Sequence, residues 1–294
     1  MSIERKITGG LVDTPDDWRD FSIDRMFGSL PLSELPKEFF QMYFPFFVKD
    51  QSDSDLCTAF ACSYAKEAQE NILISPEYQF AKTKQIMGDH KPWGADLRSA
   101  MKVLVKYGAI ETSQSKYYLN GNRDQIANWE NWGERFDIYA IKHLSKSFFK
   151  VDGPHDTFDN FRQALWKFRE KRQVIVTGCK WRNEWTNIGR GIIPKEIPEF
   201  ASFGHSFVFV GQKIINEEVY LIALLSNTEY MGDHGYFYFP REVVNQEFKW
   251  GGYMVVDMDQ ELVSFLFERG WNVNMKYFAK MIIFIKNYIN DILK

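Results

Sequence analysis

The chain has 294 residues, 45% of them hydrophobic and 26% charged, which is enough to bury a large core in one or two domains. Its formal net charge of −3 gives no electrostatic reason to expect nucleic acid or an anionic membrane as the main partner. Only three cysteines occur and the N-terminus lacks an apolar signal segment, which excludes a disulfide-rich secreted scaffold. We expect a protein that stays in the cytoplasm or is assembled inside a cell, for example into a virion.

The first part of the chain predicts an arm followed by helices. Residues 1–35 are polar and rich in turn-forming residues, which is typical of an arm that wraps around a domain. Three helices are predicted next, at residues 56–71, 76–88 and 95–107. The second has Ser75 as its cap with Pro76 in the first turn, and the third ends at Gly108.

The second part predicts mainly strands. Residues 111–155 are polar, and we expect a loop-rich crossover there. Residues 156–172 carry one apolar helical stripe. Short β-patterned runs follow at residues 174–176, 205–210, 219–225, 236–239 and 253–256. These elements predict an α+β fold with a helical lobe, an antiparallel, barrel-like sheet lobe and a ligand-binding cleft between them.

A cysteine at a predicted helix start is the strongest chemical signal. Gln51 lies six residues before Cys57, and Cys57 opens the first helical pattern. Free backbone N–H groups and the helix dipole favour a thiolate there, and a nearby amide can donate to an oxyanion. Far downstream, His205 begins a β-patterned run, so the residues of a thiol acyl-transfer site are present. Cys62 and Cys179 are expected to be structural.

These residues lie in motifs that resemble the papain family of cysteine peptidases, especially its bacterial and phage branch. The motifs occur in the family's order and span roughly residues 11–257. They are Leu35-Pro36, Tyr43-Phe44-Pro45, Asp50-Gln51 before Cys57-Thr58-Ala59, Ile74-Ser75-Pro76-Glu77-Tyr78, Trp93-Gly94-Ala95-Asp96-Leu97-Arg98, Lys106-Tyr107-Gly108, Gly204-His205 and Gly232-Asp233-His234-Gly235-Tyr236-Phe237. The resemblance implies a two-lobe papain-like fold that hydrolyses peptide bonds.

The resemblance also implies roles for single residues. Cys57 would be the nucleophile, His205 the proton shuttle and Gln51 an oxyanion donor, with Trp93 and Gly94 in the substrate-binding part of the cleft. The implied partner is a peptide or protein substrate. No cofactor is implied, and the histidines lack metal-ligand spacing, so we expect no metal site.

Three departures from the family pattern bear on activity. The family's catalytic asparagine, counted back from Gly232 without a gap, falls on Leu225, whereas a two-residue deletion would make it Asn227. Asp53 and Asp55 lie near Cys57, and like charge would raise the pKa of its thiol. The segment before the domain is too short for the family's long propeptide, so we expect no standard zymogen.

Two functions remain open from the sequence. The first is a cysteine endopeptidase, and the second is a catalytically decayed papain-fold protein that serves as a binding or structural subunit, for instance in a phage particle. Residues 36–257 would form the papain-like domain. The apolar extension at residues 258–294 predicts a helix at 275–293 that contacts the domain and another protein chain. Docking on the domain alone, or on a membrane surface, is the alternative for this helix.

Overall fold

The computed structural model describes residues 7–15, 17, 20–40, 48–91, 93–115 and 123–257. The expectations for the C-terminal extension and for the Tyr43-Phe44-Pro45 motif lie outside these residues. Within them, no helix is long and apolar enough to cross a membrane.

The helices follow the local sequence signals. Ser75 accepts a hydrogen bond from the backbone of Tyr78 at the start of one helix, and Asp96 caps another through Ser99. The described helices are α1 (Ile23–Phe27), α2 (Cys57–Glu70), α3 (Pro76–Met87), α4 (Leu97–Lys106), α5 (Arg123–Ala127), α6 (Glu134–Ala140), α7 (Thr157–Lys167), α8 (Asn183–Thr186) and α9 (Arg241–Glu247). The three helices predicted after the arm are confirmed as α2, α3 and α4, each within two residues of the expected bounds.

The strands form one antiparallel sheet. They are β1 (Phe39–Phe40), β2 (Ser145–Lys150), β3 (Ile175–Trp181), β4 (Phe203–Ile215), β5 (Glu218–Leu224), β6 (Tyr236–Phe239) and β7 (Gly252–Asp257). Their order is β2-β7-β3-β4-β5-β6, and β1 pairs with Gly211 and Gln212 of β4 on the edge opposite β5. The predicted α+β arrangement of a helical lobe and a sheet lobe is confirmed.

Strand β4 separates two hydrophobic cores. Phe207 and Phe209 point into an aromatic core that also holds Trp181, whereas Val208 and Val210 face the core built around α2. This alternation follows from the two-residue period of a strand. Because α2 packs on one face of β4, its N-terminus comes to the end of the strand where His205 lies.

The interpretation of residues 111–155 as loop-rich was wrong in part. The segment contains α5, α6 and β2, and β2 joins the sheet through β7. Trp132 explains the order, because its ring is fully buried against Tyr78 of α3 and its indole N–H donates to the carbonyl of Ile126. Trp132, a tryptophan among polar residues, is therefore an apolar anchor of this segment.

Candidate active site

Cys57 is the first residue of α2, and its side chain is fully buried. Its Sγ accepts a hydrogen bond from the backbone N–H of Gly10 at 3.2 Å. Burial raises the pKa of the Cys57 thiol, although the N–H groups of Gly10 and Ser206 oppose that rise. The thiol is therefore protonated at neutral pH in this state, despite its place at a helix N-terminus.

Gln51 is held rigidly beside the thiol. Its backbone N–H donates to the carbonyl of Ser226 at 2.7 Å, and its Oε1 accepts from the Ser226 hydroxyl at 2.7 Å. The side-chain Nε2 donates to the carbonyls of Thr8 at 3.0 Å and Ser54 at 2.9 Å. An amide N–H fixed in this way is the kind of donor that stabilises an oxyanion, and here it already binds a peptide carbonyl.

His205 lies on β4 opposite Cys179 of β3, and it is completely buried. The rings of Trp181, Phe203 and Phe207 surround it, with Trp181 edge-on at 5.5 Å between centroids. Within the described part of the chain, neither ring nitrogen makes a hydrogen bond of full geometry, although the Asn227 side chain and the backbone of Thr8 lie close enough to favour the charged ring. Burial lowers the pKa of His205 to about 4, so the imidazole is neutral at pH 7.

The thiol and the imidazole therefore do not form an ion pair in this state. Among the described residues no hydrogen bond joins Cys57 to His205, and the backbone N–H of Ser206 approaches Sγ instead. Cys57 lies near this end of β4, because the N–H of Ser206, the residue after His205, approaches Sγ, and burial disfavours the charged form of both the thiol and the imidazole.

The structure places the two candidates for the third catalytic position in different surroundings. Leu225 is 1% exposed and belongs to the aromatic core. Asn227 is paired with Asp50 through a β-bridge, and its amide oxygen faces His205 closely enough to oppose the fall in the pKa of that ring. That oxygen still has no hydrogen-bond partner within the described ranges. Asn227 is thus the candidate whose side chain lies near the imidazole.

The two carboxylates near the thiol matter less than the sequence indicates. The Asp53 side chain is 85% exposed and forms an ion pair with Arg123 at 2.8 Å. Asp55 does raise the pKa of the Cys57 thiol, but it is the smallest of the contributions and burial is the largest. The expected direction of the Asp55 effect therefore agrees with the structure, but burial of the thiol outweighs it.

The N-terminal arm runs through the cleft rather than only around the domain. The N–H of Leu11 donates to the carbonyl of Gly204 at 3.1 Å, on the side of the sheet lobe. On the helical side, Ala95 N–H donates to the carbonyl of Gly10 at 2.7 Å and Val12 N–H donates to Ala95 at 3.2 Å. Residues 8–12 are therefore an extended peptide bound between the two lobes by backbone hydrogen bonds.

The arm is bound but is not placed for cleavage. The carbonyl that Gln51 polarises belongs to Thr8, whereas Sγ of Cys57 faces the N–H of Gly10, two residues further along. A thiolate attacks a carbonyl carbon whose oxygen is held by the oxyanion donor, and this register offers it an amide N–H instead. The arm thus covers the thiol without presenting a bond to it.

Gly94 and Trp93 lie on the loop that meets the arm. Gly94 has φ of +73°, and a Cβ there would be 2.8 Å from the side chain of Val12. The buried Lys84 holds this loop by donating to the carbonyls of Trp93 and Gly94 at 3.2 Å and 2.8 Å. Trp93 is 55% exposed, and its indole is available to a longer ligand.

Two parts of the site were missed by the sequence reasoning. Trp181 shields one side of His205, yet it lies beyond the β-patterned run predicted at 174–176 and ends the observed strand β3. The Gly9-Gly10 pair suggested a turn, whereas both glycines lie extended in the cleft; only their closeness to the two walls requires glycine. No spacing rule connects residue 10 to residue 57.

Within the described ranges, no group of three or more His, Cys, Asp or Glu side chains could hold a metal ion.

Comparison with solved structures finds papain-like cysteine proteases. Xylellain, a cysteine protease from Xylella fastidiosa, matches with a TM-score of 0.73 and 20% identity, covering 87% of this chain and 98% of xylellain. Procathepsin B S9 from Trypanosoma congolense gives 0.63 and 16%, with coverage of 86% and 87%. Bromelain from Ananas comosus gives 0.55 and 14%, with coverage of 76% and 100%. No protein-family model and no curated protein matches the chain. The chain therefore has the papain-like fold.

Proposed function

We propose that this protein is a papain-like cysteine endopeptidase whose cleft is closed by its own N-terminal arm. One observation carries the proposal: an extended peptide, residues 8–12, is bound between the lobes with its backbone on Gln51, on Gly204 and against Sγ of Cys57. A cleft that binds peptide backbone directly at a thiol and an oxyanion donor has the parts that peptide hydrolysis requires.

The proposed reaction uses the same residues in their charged forms. When the arm leaves, water enters, and His205 can accept the proton of the Cys57 thiol. The thiolate then attacks the substrate carbonyl carbon, and Gln51 Nε2 with the Cys57 N–H stabilises the oxyanion. His205 returns the proton to the leaving amine, and water hydrolyses the thioester with His205 as base. Asn227 would orient the imidazole, as the third member of such a site does.

The likeness to xylellain, a bacterial cysteine protease, supports a place for this chain in the bacterial and phage branch. A second function is favoured by a different observation. In the closed state neither ring nitrogen of His205 makes a hydrogen bond of full geometry to a described residue, so the imidazole is not oriented for catalysis. If the arm never leaves the cleft, the protein would serve as a binding or structural subunit. The two proposals differ in whether the arm can be displaced.

Hydrolysis of unfolded casein by full-length protein tests the proposal. We expect slow cleavage by the wild type, faster cleavage by Gly10→Ala, which pushes the arm out of the cleft, and none by Gly10→Ala with Cys57→Ser. Cleavage that survives loss of the thiol would show a contaminant. If Gly10→Ala exposes Cys57 to alkylation but cleaves nothing, the peptidase proposal fails and the decayed subunit is favoured.

A further inference from the structure

The cleft beside Cys57 is a narrow passage with backbone on both walls, here called the glycine slot. One wall is the backbone of Asp55, two residues before the thiol, and the other is Phe203 with Gly204, just before His205. Gly9 and Gly10 of the arm occupy the slot. The slot is level with the thiol, because the N–H of Gly10 bonds to Sγ.

Neither glycine position has room for a side chain. A Cβ on Gly10 would be closer than 3.0 Å to the carbonyl oxygen of Asp55, a separation that real Cβ atoms essentially never show. A Cβ on Gly9 would be closer than 3.0 Å to the carbonyl oxygen of Gly204 and to the ring of Phe203. Glycine is needed here because of close backbone approach, not because of a positive φ.

The walls cannot widen cheaply. Gly204 and Phe203 pair with Lys180 and Trp181 across β4 and β3, so the backbone of this wall is held by the sheet, and the Gly204 carbonyl accepts from Leu11 of the arm. On the other side, Ser54, which precedes Asp55, is buried, and its N–H and hydroxyl both donate to the carbonyl of Gln51. At Gly10 the nearest obstruction is the main chain of Asp55, and at Gly9 it is the ring of Phe203 together with the carbonyl oxygen of Gly204, so rotating the Phe203 ring alone does not clear the slot.

We propose that the glycine slot selects substrates with glycine on both sides of the scissile bond. This inference rests on the proposed peptidase function and specifies its substrate class as Gly-Gly peptides. A substrate that reaches Sγ must cross the same passage that Gly9 and Gly10 now occupy. The thiolate would attack the carbonyl of the first glycine and release a product that begins with the second glycine. One water would then hydrolyse the thioester and release the product that ends with the first glycine.

The test uses the full-length Gly10→Ala protein and fluorogenic peptides that carry the side chains of residues 7–12. They are offered in both chain directions, as Ile-Thr-Gly-Gly-Leu-Val and Val-Leu-Gly-Gly-Thr-Ile, with matched peptides in which one glycine is alanine. We expect kcat/KM for a Gly-Gly peptide to exceed that of each alanine peptide by about tenfold to a hundredfold, the range expected for overpacking a tight site. Values within about twofold overturn the proposal.

A binding readout separates this inference from the peptidase function. If no peptide is cleaved, the same peptides are used to protect Cys57 from iodoacetamide, with modification located by mass spectrometry. Protection by the Gly-Gly peptides alone upholds the glycine slot without hydrolysis, and equal or absent protection overturns it. The second variant is Gly9→Ala, whose added Cβ would contact Phe203 and Gly204 on the opposite wall. If both variants fold and leave Cys57 as unreactive as in the wild type, the slot admits a Cβ and the inference is wrong.

Discussion

The two walls of the cleft differ in how completely their polar groups are satisfied. On the helical side, every polar atom of the Gln51 amide is bonded, and Cys57 Sγ accepts an N–H from the arm. On the sheet side, His205 has two unpartnered ring nitrogens and Asn227 an unpartnered oxygen, considering the residues that the structure describes. Since an unsatisfied buried polar atom costs about 1–3 kcal/mol, the arm satisfies the helical wall more completely than the sheet wall, where the backbone of Thr8 and the Asn227 side chain favour the charged form of His205 without a hydrogen bond of full geometry.

The largest expected effect is the loss of Gln51. Gln51→Leu leaves the Ser226 hydroxyl and the carbonyls of Thr8 and Ser54 without this partner, so we expect the free energy of unfolding to fall by about 3 kcal/mol. Urea unfolding measures it. Gln51→Glu keeps the oxygen but removes the donor, and should fall between wild type and Gln51→Leu. A loss below about 1 kcal/mol would show that the helical wall is not rigidly bonded.

The pH dependence of stability comes next. His205 has a pKa of about 4 in the folded protein against 6.5 as its ordinary value, because burial disfavours its charge. The unfolded chain therefore binds the proton first, and stability falls as the pH drops from about 6.5 to about 4, by about 3 kcal/mol for this group. Burial raises the pKa of Asp257 to about 6, which acts in the opposite sense.

His205→Phe isolates the histidine contribution, since Asp257 is common to both proteins. The difference in unfolding free energy between wild type and variant should change by about 3 kcal/mol between pH 7 and pH 4. A difference that does not vary with pH would mean that water already reaches the ring.

At pH 7 the same substitution should stabilise the resting fold. Phenylalanine fits the aromatic surroundings of Trp181, Phe203 and Phe207 and removes two unpartnered nitrogens. We expect a gain of about 1 kcal/mol together with complete loss of peptidase activity. Thermal unfolding at pH 7 measures the gain. Lower stability than the wild type would contradict the description of this wall as the less completely satisfied one.

Asn227 should matter for chemistry and little for the resting fold. Asn227→Ala is expected to change unfolding free energy by less than about 0.5 kcal/mol, because its oxygen is unpartnered among the described residues. In the Gly10→Ala background it should slow Cys57 alkylation at pH 7 by about tenfold or more, since the imidazole loses its orienting group. Leu225→Ala is the matched control, and should cost about 2–5 kcal/mol as a core truncation. If Leu225→Ala slows alkylation and Asn227→Ala does not, the third catalytic position would be Leu225 rather than Asn227.

The smallest effect is expected for Asp55. Asp55→Gly removes the weakest of the influences on the pKa of the Cys57 thiol and keeps the backbone that forms this wall of the glycine slot. Alkylation of Cys57 should therefore accelerate by less than about threefold. Asp53→Asn should have no effect, because Asp53 is exposed and paired with Arg123. Alkylation rates at pH 7.5 measure both. A large acceleration by Asp55→Gly would make charge, rather than burial, the main control of the thiol.

Much of this site could be predicted from the sequence. Cys57 at a helix start and His205 on a strand follow from periodicity, capping signals and the family motifs, and these signals are local. The arm in the cleft could not be predicted, because the contact of Gly10 with Cys57 depends on the sheet and helices together. The environment of His205 was equally hidden, since Trp181 comes from a different strand. The different surroundings of Asn227 and Leu225 were hidden as well, since they depend on the β-bridge to Asp50 and on the aromatic core.

The pH profile of Cys57 alkylation in wild type and Gly10→Ala tests the central claim, that the arm holds an uncharged thiol and imidazole. In the wild type we expect reactivity to rise only above pH 9, because burial raises the pKa of the thiol above its ordinary 9.0. In Gly10→Ala we expect a reactive plateau between about pH 5 and 8, typical of a histidine-paired thiolate, which His205→Phe removes. If the two profiles coincide, or if the plateau survives without His205, the arm does not control the ion pair and the account is contradicted.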